Sequence, residues 1–526
     1  MKKTRIAIAG ASLFITLICW ALSSPINSHR DERYYIGSIW CADGYSERCV
    51  PLGIDNYGNR VALFQSDMCI PPGIEESYKR ILIDRTVQGC QYEINGNQPW
   101  EEFTVSPNID YATDRYVATN INTTLSPQYF FRFMNNFASE NLASSVVLMR
   151  IVTAAIFCLL LTLLLAVGSL SVAQSVLTSL FFTMIPQGLF LSSGITISGW
   201  AYIGCAFSWA FLYVILNSGP KIRLKVVAAI IGWIAAGAIV IVSRYDAILY
   251  LVFSNLVVIA LKLESLNINL KKLAILLLAP LTGLIIFLRS EVPSIRALTS
   301  FRSGNISSIY DAVLILGNSA KLALATPLRI LGLEGVGWQP LGPPTQTLIS
   351  NLVIFSCILA VIFFNRNRLQ NFYLTIFIAF YTLICLSQTY IHPKWSPPFY
   401  YIRTGWQGDE FHSRYFLPIF PFYVGMMVLL SKSSQDLFEQ QKFRLMIVTV
   451  LSFTHWGSLY SVGKIFRENP TWYWLNFPLG INSIFMIGVT SFFIFLLTTT
   501  LIITDAPKYI NMTSWLRNKN GGRGGI

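Results

Sequence analysis

Charge is what this chain has least of. Only 12% of its 526 residues are Asp, Glu, Lys or Arg, about half the ~25% usual for a soluble domain. Another 53% are hydrophobic. That leaves too little polar surface to cover a water-soluble globule of this size, so lipid must solvate the chain. Histidine is scarce too: His29, His392, His412 and His455 are the full complement, and they show no metal-ligand spacing. No Gly-x-x-x-x-Gly-Lys-Ser/Thr loop occurs, which disfavours ATP-driven transport by this chain alone. No His-Glu-x-x-His helix occurs either, which disfavours a membrane zinc protease. The alternating pattern of a membrane barrel and any internal repeat are also missing.

What is present is a series of long apolar runs. Crossing ~30 Å of hydrocarbon takes about 20 helical residues, and lipid offers backbone N–H and C=O groups no other partners. Runs of that kind predict spans near 5–24, 145–168, 171–190, 198–217, 225–243, 246–262, 272–289, 346–364, 371–390, 413–431, 445–463 and 480–503. The fold class expected is therefore all-α and polytopic, with about twelve transmembrane helices. The first run follows Met1-Lys2-Lys3-Thr4-Arg5 as a signal peptide would, but it is longer than a usual signal core, and we read it as a retained helix.

Basic residues in short loops give the orientation. Lys2, Lys3 and Arg5 set the N-terminus in the cytoplasm. Lys221 and Arg223, Lys271, Arg366 and Arg368, Lys432, Lys442 and Arg444 fall on the same side, as does the C-terminal tail. The net charge of +13 is then ordinary topology and lipid-surface contact. Without a basic groove on a soluble domain, nucleic acid is not an expected partner. The layout expected is a first transmembrane helix over 1–24 and an extracytoplasmic cap over 25–144. Helices two to seven follow over 145–289, an interfacial lid over 290–345, helices eight to twelve over 346–503 and a cytoplasmic tail over 504–526.

The nine cysteines divide by compartment. Cys19, Cys158, Cys205, Cys357 and Cys385 lie in apolar runs, whereas Cys41, Cys49, Cys69 and Cys90 all fall in the cap. An even number confined to an exported segment suggests two disulfides. Of three pairings, the sequential one (Cys41 with Cys49, Cys69 with Cys90) closes the shortest loops. A zinc site competes weakly, because no Cys-x-x-Cys or neighbouring histidine is present. Turn residues such as Pro71-Pro72-Gly73 and Asn95-Gly96-Asn97 argue for short elements in the cap.

Ionisable residues at membrane boundaries are expensive, and they are usually paired or functional. Four constellations approach the outer face. Arg30-Asp31-Glu32-Arg33 follows the first span, as a hydrated charge cluster or as a pair of carboxylates for chemistry. Ser243-Arg244-Tyr245-Asp246 joins the fifth and sixth spans; it reads as an ion pair pinning the turn, as an arginine aimed at a phosphate, or as both. Gly408 to Pro418 carries His412 and Arg414 into the tenth span, where Arg414 could equally snorkel. Arg289 borders the 290–345 lid, which holds Glu291, Arg296 and Arg302 beside amphipathic stretches suited to lie on the bilayer.

Taken in order, several short motifs resemble a bacterial family of polytopic membrane proteins, domain-of-unknown-function family 2142. They are Ser24-Pro25 with Asp31-Glu32 and Gly37-Ser38-Ile39-Trp40-Cys41, Met149-Arg150, Ile185-Pro186 to Ser193, Ser243 to Asp246, Gly337-Trp338, and Ser413 to Pro418. The layout is similar to that of C-type-fold membrane glycosyltransferases, which use polyprenyl-phosphate sugars and keep an acidic catalytic residue in the first external loop. The resemblance implies a plasma-membrane enzyme with an extracytoplasmic active face, a polyprenyl-phosphate-linked sugar donor and a cell-envelope glycan acceptor. Transporter, flippase and polymerase of lipid-linked glycans are the rival readings. On that resemblance Asp31 takes the catalytic position and Glu32 orients the acceptor or holds a divalent cation, the one cofactor in view. Arg30, Arg33, Arg244, Asp246, His412 and Arg414 line the substrate and phosphate site. Similar proteins often read Gln-Gly-Arg-Tyr where this chain has Phe411-His412-Ser413-Arg414-Tyr415; the arginine is kept and the glycine is not.

Overall fold

The computed structural model describes residues 3–23, 32–44, 49–54, 60–65, 116–120, 128–140, 142–184, 186–217, 223–263, 368–391, 416–430 and 488–497, with a few isolated positions between them. Helices α1 (Lys3–Ser23), α2 (Glu32–Trp40), α3 (Gln128–Asn135) and α4 (Leu142–Val167) are followed by α5 (Leu170–Thr183), α6 (Pro186–Ser192) and α7 (Ile197–Asn217). After these come α8 (Arg223–Ser243), α9 (Ala247–Leu263), α10 (Arg368–Ile391) and α11 (Phe420–Leu430), the last entered through a 3-10 turn at Leu417–Ile419. Three of the described helices are long and apolar enough to cross a membrane, over Ser144–Val167, Ile197–Asn217 and Leu224–Ser243. Shorter apolar helices run over Ile6–Leu22, Ala247–Leu261, Asn371–Leu386, Leu417–Leu430 and Gly488–Leu497. The spans expected near 272–289, 346–364 and 445–463 and the lid over 290–345 lie outside the described residues, isolated positions apart.

The span expected over 171–190 is two helices. Ser169 caps α5, its hydroxyl accepting from the Val172 N–H at 3.4 Å. The helix closes with the Met184 N–H on the Leu180 carbonyl at 2.6 Å. Pro186 then opens α6. Its ring and missing N–H cannot continue a helix but suit a first turn.

Helix α7 is the centre of the bundle. It is apolar all round, and 83% of its apolar window is buried in protein, against 28% for α8. Helix α8 therefore turns a stripe of Leu224, Val227, Ile231 and Ile234 outward, as a lipid-facing helix does. Small residues let the two approach closely. A Cβ on Gly204 of α7 would lie 2.5 Å from the Ala236 carbonyl oxygen. Gly425 of α11 similarly makes room for the Trp209 ring, which a Cβ would meet at 2.4 Å. Stacked rings hold α10 against its neighbours, Phe377 on Tyr423 and Phe253 on Phe380, each with centroids 3.8 Å apart.

A second, smaller core caps one end of this bundle. It gathers Ile36, Ile39, Phe130, Phe131, Met134, Met149 and Trp200, joining α2 and α3 to the starts of α4 and α7. The Cys41–Cys49 disulfide ties the end of α2 to strand β1 (Cys49–Ile54), with Cα atoms 5.6 Å apart. Strands β2 (Arg60–Gln65) and β3 (Tyr116–Asn120) complete a three-stranded antiparallel sheet in the order β1-β2-β3. The all-α expectation thus describes the apolar segments, while the cap adds a sheet. Its strands are rich in Val, Leu, Phe, Tyr and Thr, which suit a pleated and partly covered surface. Cys69 and Cys90 lie outside the described residues.

Candidate functional site

The ends of five helices meet beneath the cap. Polar contacts link them in steps: Arg150 of α4 reaches the end of α1, Trp200 of α7 reaches Thr153 of α4, and Arg244 after α8 reaches Ser198 of α7. Two Arg–carboxylate pairs lie along this series.

Glu32 opens α2, and its side chain is wholly buried, as is that of Arg150. The guanidinium Nε donates to Oε1 at 3.1 Å, and Nη2 donates to Oε1 at 2.9 Å and Oε2 at 2.8 Å. Nη1 donates to the Ala21 carbonyl at 2.8 Å, in the last turn of α1. A forked, charge-assisted arrangement of this kind is the strong form of such a bond. The carboxylate also sits at the positive end of the α2 dipole. One guanidinium therefore holds both shores of the segment 24–31, which carries Arg30 and Asp31. Glu32 is expected at an open mouth, facing acceptor or cation; instead its side chain is buried and both of its oxygens accept from Arg150. Its environment is that of an anchor.

The second pair is local. Helix α8 closes with the Arg244 N–H on the Val240 carbonyl at 3.2 Å, and the Ile248 and Leu249 N–H groups start α9 on the carbonyls of Tyr245 and Asp246. This three-residue turn makes Arg244 face back over α7. Its Nε donates to Asp246 Oδ1 at 2.8 Å, Nη2 donates to the other carboxylate oxygen, and Nη1 donates to Ser198 Oγ at 3.0 Å. The Arg244 side chain is 10% exposed and that of Asp246 28%, so the pair opens towards the cap-end surface. Burial pushes the Tyr245 hydroxyl above its ordinary range, and nearby Tyr129 adds to the shift.

An ion pair pins the turn at Ser243 to Asp246, and the pair keeps a partly exposed edge. Arg30, Asp31, His412 and Arg414 lie outside the described residues; Arg33 falls within α2, but its side chain is outside them. Among the described residues, no group of three or more His, Cys, Asp or Glu is placed to hold a metal ion. The residue that sequence reasoning passed over is Arg150. It was noted only as part of a motif, although a lone guanidinium inside an apolar run calls for a buried partner.

Multi-pass apolar helices, a folded cap and paired charges at the cap end define a polytopic α-helical membrane protein. The chain belongs to the DUF2142 family, described as "Predicted membrane protein", which it matches over residues 14–423, from within α1 into α11. No curated protein and no solved structure matches it.

Proposed function

We propose that this protein is an extracytoplasmic glycosyltransferase of bacterial cell-envelope glycan assembly, using a polyprenyl-phosphate-linked sugar as donor. One observation carries the reading: the Glu32–Arg150 anchor fixes the residue next to Asp31 at the bundle end where Asp246 and Ser198 orient Arg244. Two features support an outward-facing cap. A disulfide belongs in an oxidising compartment, and Arg223 and Lys225 begin α8 at the far end from the cap.

In this reading Asp31 removes the proton from an acceptor hydroxyl. The hydroxyl oxygen attacks the anomeric carbon as the bond from that carbon to the phosphate oxygen breaks, and polyprenyl phosphate departs with the bonding pair. A base so placed contributes roughly 10²–10⁴-fold. Arg244, with Arg414, stabilises the charge growing on the departing phosphate. Glu32 positions Asp31.

The test is sugar transfer in proteoliposomes holding the purified protein, a labelled polyprenyl-phosphate sugar and a glycan acceptor. Asp31→Asn should abolish transfer while leaving the protein folded and inserted, and full activity in that variant sinks the assignment. A transporter of lipid-linked glycans is the second reading, favoured by the helix broken between α5 and α6, since discontinuous helices mark many transporter sites. Donor crossing the bilayer without sugar transfer would decide for it.

A further inference from the structure

Helix α3 takes no part in the proposed reaction, yet it is the most sharply two-faced element described. Its inner face places Phe130, Phe131 and Met134 in the cap-end core, with the Phe130 ring edge-on to Trp200 at 5.1 Å. Its outer face is unusual for a helix in water. Tyr129 is 67% exposed and Arg132 stands exposed beside it, while Phe133 leans one edge on Trp200 at 5.4 Å and leaves 41% of its surface outward. The Asn136 side chain donates back to the Arg132 and Phe133 carbonyls at 3.0 and 3.1 Å, finishing the helix end.

The depth of α3 is set by what it packs on. It lies against α8, whose apolar span ends at Ser243, and the apolar span of α4 begins at Ser144, shortly after α3 ends. Tyr129 is near enough to Tyr245, in the turn after α8, to influence its hydroxyl. The helix is thus level with the ends of two membrane spans. Both of those spans carry outward-facing apolar residues, Leu148 on α4 and the Ile231 and Ile234 stripe on α8. Aromatic and basic side chains at that level have one natural surrounding, the zone between acyl chains and phosphates.

We infer that the outer face of α3 lies in the headgroup layer of the cap-side leaflet, with Tyr129 and Phe133 at the acyl boundary and Arg132 on the phosphate of an anionic lipid. The helix is then a float that fixes the height of the cap above the bilayer. This does not depend on the glycosyltransferase reading.

The experiment uses the full chain in nanodiscs of mixed phosphatidylethanolamine and phosphatidylglycerol, with a photoreactive benzoylphenylalanine replacing Tyr129 or, separately, Phe133. Ile231 on the lipid-facing stripe of α8 serves as the positive control and reports insertion. Illumination should give lipid adducts at 129 and 133, enriched in phosphatidylglycerol. Arg132→Gln should lower that enrichment roughly five-fold, the equivalent of about 1 kcal/mol for one arginine at an anionic surface. Cross-links from 129 and 133 only to other parts of the chain, or no lipid adducts while position 231 labels, overturn the proposal. Unchanged enrichment in Arg132→Gln overturns the part given to Arg132.

Discussion

The two Arg–carboxylate pairs at the cap end share a chemistry and differ in construction. Glu32 and Arg150 stand 118 positions apart and meet buried, whereas Arg244 and Asp246 are two residues apart and keep an edge open. A buried pair must satisfy itself, because desolvation of each charge costs several kcal/mol that only close geometry offsets. Its function is then organisation, here of the ends of α1, α2 and α4. A local pair at an opening contributes little to stability, but it pre-orients a guanidinium that a phosphate could engage. Charge at a membrane mouth thus divides into what shapes the site and what faces its contents.

The largest effect should come from breaking the distant pair. Arg150→Ala removes the forked donor to a buried carboxylate and should cost about 3–5 kcal/mol, read as lost folded yield or a lowered unfolding midpoint in detergent. Arg150→Lys keeps the charge but not the fork and should fall between. Joint replacement, Glu32→Leu with Arg150→Met, should recover most of the loss, since apolar residues can fill such a site without the desolvation penalty. An Arg150→Ala protein with an unaltered midpoint would falsify the anchor.

Next in size is the covalent tie at the other end of α2. Opening the short Cys41–Cys49 loop with Cys41→Ser and Cys49→Ser should cost about 2–3 kcal/mol by the chain-entropy relation. The loss should be local: faster proteolysis within the cap while the bundle helices stay protected. Equal protection with and without the disulfide would mean that the cap-end core holds α2 unaided.

These effects also mark what could be read along the chain. Apolar runs announce α4, α7 and α8 within about three residues of their bounds, because lipid imposes length and composition together. Cysteines confined to an exported segment announced disulfides but left three pairings open; the Cys41–Cys49 bond belongs to the one that closes the shortest loops. Pairings between distant residues were not legible. Strand β2 meets β3 through Gln65 and Tyr116, and no local pattern announces that. The burial of Glu32 is not legible locally, because its partner lies 118 positions on. Pro186 divides the apolar run in plain sight, although the run is long enough for a single span.

The smallest effect on stability should come from the local pair, and there the comparison is sharpest. Asp246→Asn keeps the shape and one acceptor oxygen, and Asp246 already reaches the surface, so water can take over; the change should be below about 1 kcal/mol. Ser198→Ala removes one neutral partner of the Arg244 guanidinium and should cost about 1 kcal/mol. If Arg244 grips a phosphate, the same variants should nonetheless raise the KM for a polyprenyl-phosphate donor, by about ten-fold for a lost orienting bond of ~1.4 kcal/mol. Arg244→Gln should lower the rate further. The distant pair shows the opposite ratio, with a large stability loss and no separate rise in the KM for the donor. Stability losses of similar size at both pairs, with no separate change in KM, would mean that Arg244 merely pins its turn.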